Sequence, residues 1–209
     1  MTRSERLELV AVVLLATGTI ATAWAAYQAR QWTGEQAHDY SVGTGSRIAE
    51  NRSAALANRQ VQIDVATFIQ WVDARKQGDA ALARFYRYRF RDEFKPAFGA
   101  WLATRPFTDP DAPETPFAMP EYRLAATAEA DRLEATAAVA SERAKDANQR
   151  AGSYMLAVVL LASALFFAGI STRFEAPAIR RAVLGLGAVV LIVTLVWLAT
   201  FPVELTPIG

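Results

Sequence analysis

The sequence predicts an all-α membrane protein: three transmembrane helices with a long helical-hairpin domain on the extracytoplasmic side. Three observations carry this. Three stretches of 21 or 22 residues contain no charged side chain. Long runs beside them contain no proline. Arginines and aromatic rings gather at opposite ends of the apolar stretches.

The charge-free stretches are Leu9–Ala29, Ala151–Thr172 and Ala182–Val203. A hydrocarbon core of roughly 30 Å is crossed by about 20 apolar residues of helix, so each is long enough to span. A helix also satisfies its own backbone hydrogen bonds, as the bilayer demands. The first stretch has some marks of a secretory signal, with a basic start and a possible cleavage site near Ala21 or Ala23. Its apolar run is longer than a signal core, and it reads as an uncleaved membrane helix.

Orientation follows the basic residues of the short loops. Arg3 and Arg6 precede the first span, and Arg173, Arg180 and Arg181 lie between the second and third. Both places belong in the cytoplasm, which puts residues 30–150 and the C-terminal tail, Glu204–Gly209, outside. Trp24, Tyr27, Trp32, Tyr154, Trp197 and Phe201 all fall at the outward ends, where the headgroup layer accommodates an apolar ring with a polar edge.

Along the outer segment, 30–150, the pattern is helical. Gln31 to about Lys76 has no proline and carries Ile48, Leu56, Ile63, Phe68, Trp71 and Val72 at near-helical spacing. Gly43 and Gly45 weaken that run by about 1 kcal/mol each relative to alanine. Gln77-Gly78-Asp79 reads as a stop and a new N-cap, and a second helix is expected from Ala80 to about Thr104. Arg105–Glu121 holds five of the nine prolines and is a long loop. Tyr122–Arg150 has neither glycine nor proline and ten alanines. It runs without a break into the second span as one expected helix of about fifty residues, a stalk whose small side chains let a partner helix approach closely. The division by topology is therefore 1–29, 30–150 and 151–209.

Composition excludes several classes. Twenty-two Lys and Arg oppose 21 Asp and Glu, and the outer segment carries 17 of each sign. Nucleic-acid binding, which needs a basic excess to displace counterions, is not expected. No cysteine means no disulfide, thiolate nucleophile or thiolate metal site. His38 is the sole histidine.

The run Ala21-Thr-Ala-Trp-Ala-Ala-Tyr-Gln-Ala-Arg-Gln-Trp, the segment Pro116-Phe-Ala-Met-Pro-Glu-Tyr-Arg-Leu and Leu165-Phe-Phe-Ala-Gly-Ile-Ser resemble a family of bacterial three-span integral membrane proteins. The resemblance covers most of the chain. It implies a bacterial inner membrane and supplies neither an activity nor site residues.

Candidate chemistry is sparse. Glu35 and His38 form a Glu-x-x-His pair, half of a bundle di-metal motif, but one histidine cannot complete the set and no metal is expected. Asp109, Asp111 and Glu114 in the Pro-rich loop lack the glycine and final glutamate of a calcium loop. Phosphate-binding, hydrolase, zincin and dinucleotide fingerprints are all missing, so neither an enzyme nor a cofactor is implied. The spans carry no ionisable residue, which disfavours a pump or an ion-coupled transporter.

Two sets of residues remain. If the helix from Ala80 is continuous, Arg84, Arg87, Arg91 and Lys95 share one stripe and Tyr86, Phe90 and Phe94 another. The aromatic stripe packs on the long helices, and the cations offer a site for an anion or a lipid headgroup. On the first span Ala16, Thr19, Ala23, Ala26 and Arg30 lie on one side with Thr22 beside them. Val10, Val13, Ile20, Trp24 and Tyr27 lie opposite, against lipid. Small and hydroxyl-bearing stripes serve helix packing in membranes, and they can also line a weakly selective pore. Ala164, Ala168, Gly185 and Ala188 should let the second and third spans pack as a tight hairpin. The expected function is a homo-oligomeric membrane protein, in its most specific form a channel lined by the first span. The alternative is an envelope sensor, scaffold or accessory subunit that binds a partner through its outer helices.

Overall fold

The computed structural model describes residues 3–204, without the side chains of residues 3 and 4. Every regular element among them is helical: α1 (Arg3–Lys76), α2 (Ala80–Arg89), α3 (Lys95–Ala103), a 3₁₀ turn (Pro116–Ala118), α4 (Ala125–Ser171) and α5 (Pro177–Leu198). α1, α4 and α5 each contain a stretch long and apolar enough to cross a membrane. Gly43 and Gly45 do not interrupt α1, and α4 is continuous over 47 residues.

Packing divides the chain into two compact units, residues 1–42 with 139–209 and residues 43–138. This differs from the division by topology, because residues flanking the apolar stretches pack together with them. Trp32 and Ala147 join the same buried cluster as Ala25, Leu161 and Leu191.

In the first unit each helix buries one seam with steps of three and four residues. On α5 it is Leu184, Gly187, Leu191, Thr194 and Leu198. On α1 it is Ala11, the half-buried Leu14, Gly18, Ala21, Ala25, Gln28 and Trp32, and on α4 Ala144, Ala147, Ala151, Tyr154, Ala157, Leu161, Ala164 and Ala168. That is the spacing of knobs-into-holes packing, here mostly with alanine knobs. Lipid offers apolar side chains as good a surrounding as a neighbouring helix does, so association relies on close contact, which small residues permit. Most polar groups of the seam are internally satisfied, the indole N–H of Trp32 being an exception. Thr194 Oγ1 donates to the Val190 carbonyl at 2.7 Å, and Ser171 Oγ to that of Ala168 at 2.7 Å.

Gln28 fastens the chain beyond α5. Its amide donates to the Glu204 carbonyl at 3.0 Å and accepts from the Glu204 N–H at 2.9 Å. Tyr154 donates to the Pro202 carbonyl at 2.9 Å. Tyr154 and Trp32 are therefore buried in the bundle rather than facing headgroups, and the Arg150 guanidinium lies 4.5 Å from the Trp32 ring centroid. Trp24 and Tyr27 stay exposed, as an interfacial belt requires. At the other end Arg180 reaches Glu8 at 3.5 Å. Residues 205–209, most of the expected outer tail, lie outside the described residues.

In the second unit the helix expected from Ala80 to Thr104 is broken. α2 begins at Asp79, whose side chain accepts from the Leu82 N–H at 2.9 Å, and ends at Arg89. Phe90 is extended, and α3 restarts at Lys95 with Pro96 in its first turn. Pro96 has no N–H, and in an unbroken helix its ring would strike the carbonyl of Asp92, so the break falls one turn ahead of it. The interruption brings Phe90, Phe94, Phe98 and Trp101 together with Phe68 and Trp71 of α1. Rings meet edge-to-face, Trp71–Phe98 at 4.7 Å and Phe90–Phe98 at 4.9 Å, the geometry their quadrupoles favour. Trp101 pins the Pro-rich loop by donating to the Pro113 carbonyl at 2.7 Å. α4 starts at Ala125, three residues later than expected.

The glycine that α4 and α5 pack against is Gly187, not the expected Gly185. A Cβ built on Gly187 would stand 3.1 Å from the Ala164 carbonyl oxygen and 3.3 Å from the Ala168 nitrogen, whereas one on Gly185 meets nothing within 4 Å. Gly187→Leu should therefore cost about 1–3 kcal/mol by forcing the two backbones apart. Gly185→Leu should stay within about 0.5 kcal/mol of the parent. Thermal unfolding of the two variants in detergent checks this; equal losses would refute the close contact.

Candidate functional site

The face of α1 singled out by sequence points away from its bundle. Ala16, Thr19, Ala23, Ala26 and Arg30 are exposed, and Thr22 is half-buried beside the seam. Thr19 and Thr22 donate to the carbonyls of Leu15 and Gly18, both at 2.7 Å. Such hydroxyls cost little against hydrocarbon and leave oxygen lone pairs on the surface. Val13, Ile20 and Tyr27 are exposed too, but each lies one turn from Ala16 or Ala23, so they border the small face rather than lying opposite it, where the buried seam runs. At the end of the small face, Ala26, Ala29, Arg30, Ala151, Gly152 and Met155 line a shallow groove of about 390 Å³. Arg30 has no ion pair among the described residues.

The four expected cations do not form one stripe. Arg84, Arg87 and Lys95 line a groove of about 510 Å³ with Tyr88, Phe90, Phe98 and Gly99. Arg91 is elsewhere. The turn between α2 and α3 rotates it toward Asp64 of α1, with Nη1 2.8 Å from Oδ2, and its other nitrogen bonds Glu93. It belongs to a structural network rather than to an anion site.

That network was not read from the sequence. Asp64 is fully buried and accepts from both Arg91 and Tyr122 (3.0 Å) on Oδ2, while Oδ1 has no hydrogen-bond partner. Glu93 accepts from Arg91 and, at 3.0 Å, from the Ala125 N–H, which places a carboxylate on the first turn of α4. Burial pushes the Asp64 carboxyl above its ordinary value of 3.8, outweighing the opposing pull of Tyr122 and Arg91. Burial and the bond to Asp64 hold the Tyr122 phenol far above its usual range, so it remains a donor. A signal existed: Ala57, Val61, Asp64, Phe68 and Trp71 are spaced as a packing seam, and an acid within a seam needs partners.

Glu35 is half-buried and His38 exposed on α1, and no three His, Asp or Glu side chains gather as a metal set among the described residues. In the Pro-rich loop Asp109 accepts from the Asp111 N–H at 3.0 Å, a local turn bond. No family model, curated protein or solved structure matches this chain.

The network sets a pH dependence whose sign is fixed. With its native pKa raised, Asp64 binds more protons folded than unfolded, so its contribution is fully present below the ordinary value and is lost as pH rises through the native one. Asp92 and Glu129, held low by Lys95 and Arg132, act in the opposite sense but are exposed. Asp64→Asn removes only the first effect. Its stability relative to the parent should rise as pH is raised above about 4 and level off once the pH has passed the raised native value. Thermal unfolding across that interval measures it, and a constant difference would refute the assignment.

Proposed function

We propose that this chain is a non-enzymatic, homo-oligomeric integral protein of the bacterial inner membrane, with copies meeting along the small face of α1. One observation carries the reading. On α1 a strip of Ala16, Thr19, Ala23 and Ala26 is left uncovered by its own bundle and borders bulky exposed residues suited to lipid. Small residues gain little from lipid tails and more from a closely approaching helix.

In this arrangement the N-terminus is cytoplasmic, and residues 30–150 and the C-terminus form the extracytoplasmic part, with α1 and α4 as its hairpin. Arg6, Arg173, Arg180 and Arg181 support that orientation, as do the exposed Trp24 and Tyr27. A channel is the narrower form of the same reading. Copies of Thr19 would then line the path, and Arg30 would ring its outer mouth and favour anions.

The absence of native cysteine makes the oligomer directly testable. Ala23→Cys or Thr19→Cys in membranes should cross-link to dimers on oxidation, while Val13→Cys and Ile20→Cys should not. Equal cross-linking from both sets, with a monomeric mass in mild detergent, would favour the alternative of a monomeric scaffold that binds a partner through its outer helices. In liposomes Thr19→Leu should abolish any chloride leak the parent shows. An oligomer without leak retains the assembly and loses the channel.

Topology is tested separately. Reporters fused at the C-terminus and inserted in Arg105–Glu121 should both be active only outside the cytoplasm. A cytoplasmic C-terminus would mean that one apolar helix does not span.

A further inference from the structure

We infer that the groove between α2 and α3 binds phosphate esters, with Arg84 and Arg87 holding the phosphate and Lys95 neutralising it. Around this groove the even charge of the segment breaks down. Residues 30–150 carry 17 charges of each sign, yet Arg84, Arg87 and Lys95 line one hollow with no carboxylate. An adjoining hollow of about 280 Å³ is lined by Arg75, Arg84 and Arg87, again without an acid. Arg84 and Arg87 have no ion pair among the described residues. Lys95 bonds Asp92 at 2.6 Å, but that carboxylate is exposed and lies outside the lining. Arg84 and Arg87 thus share one space with no acid to offset them, and a bound dianion would relieve their repulsion and draw on Lys95 beside them.

The chemistry of the walls selects the anion. Arginine forks match the paired oxygens of a phosphate, and hydrogen bonds to an ionised acceptor are the strong ones. The floor is apolar, with Phe90 and Phe98 buried beneath the cations and the Arg87 guanidinium 6.0 Å from the Phe98 ring centroid. Such a floor lowers the local dielectric and offers contact to carbon atoms attached to the phosphate. A volume of about 510 Å³ exceeds the needs of a bare inorganic ion and falls in the range of small-molecule sites. Gly99 borders the groove, and a Cβ there would meet nothing within 4 Å. The phosphate could be supplied by a soluble ester or by a lipid headgroup, and the two share the same recognition.

The test uses the full chain in nanodiscs of phosphatidylcholine. Glycerol 3-phosphate is titrated as the soluble probe, and a short-chain phosphatidic acid kept below its micellar concentration, which carries the same phosphate monoester, is titrated as the lipid probe. One or both should bind saturably, and their separate or mutual competition identifies the source. The double variant Arg84→Gln/Arg87→Gln should lose about tenfold or more in affinity. Gly99→Leu should lose as much by filling the groove, with thermal stability preserved, because its new side chain enters open space. Arg59→Gln, which removes an exposed cation of α1 elsewhere in the same unit, should bind as the parent does. No binding of either probe would overturn the inference, as would binding that survives both groove variants. So would saturable binding of a single-stranded oligonucleotide without binding of the small ester.

Discussion

Backbone proximity is the constraint on which the unit containing the apolar helices depends. In hydrocarbon a leucine is as well surrounded by lipid tails as by another helix, so burial alone does not drive assembly. What favours association is contact at short range, and short range requires that side chains be nearly absent. The alanines of α1 and α4 and Gly187 of α5 meet this requirement along continuous seams. Once the backbones are close, Gln28 and Tyr154 can reach the chain beyond α5 and satisfy its peptide groups. The same closeness leaves no space inside the three-helix bundle, whose centre is filled by Ala25, Ala157 and Leu161. Any conducting path would therefore have to form between copies.

The second unit solves a different problem by different means. Large rings hold it together, and rings from α1, α2, α3 and the Pro-rich loop supply the core. Apolar contact is non-directional, and the Asp64 network adds direction. Arg91 and Glu93 come from the turn that Pro96 enforces, Tyr122 from the segment before α4 and Asp64 from α1. The network thereby ties the helix break to the start of α4. It leaves one carboxylate oxygen unpartnered, and that places a proton-linked cost at the centre of the unit.

The helix break also separates structural from available charge. Four basic residues that look equivalent in sequence divide when the chain turns at Phe90. Arg91 is consumed by Asp64 and Glu93, while Arg84, Arg87 and Lys95 remain around an aromatic floor. An unbroken helix would have left Arg91 in line with the others and Asp64 without a counter-ion.

The sequence by itself determined the all-α class, the three apolar helices, the continuity of α1 and α4, the stop at Gly78 and the N-cap at Asp79. Each of these depends on residues near one another in the chain: an unbroken apolar run, an absence of proline, a glycine that reaches φ +77. Tertiary structure decided which side of a helix is covered and which cation is free, because those outcomes depend on residues far apart. Gly187 rather than Gly185 makes the close contact because α4 presents its backbone on that side. Tyr154 left the interfacial belt for the bundle because Pro202, 48 residues away, offered a carbonyl. Arg91 left the basic stripe because Asp64, 27 residues earlier, lay where the turn directed it. Periodicity records that a helix has faces, but only the packed neighbours decide what each face meets.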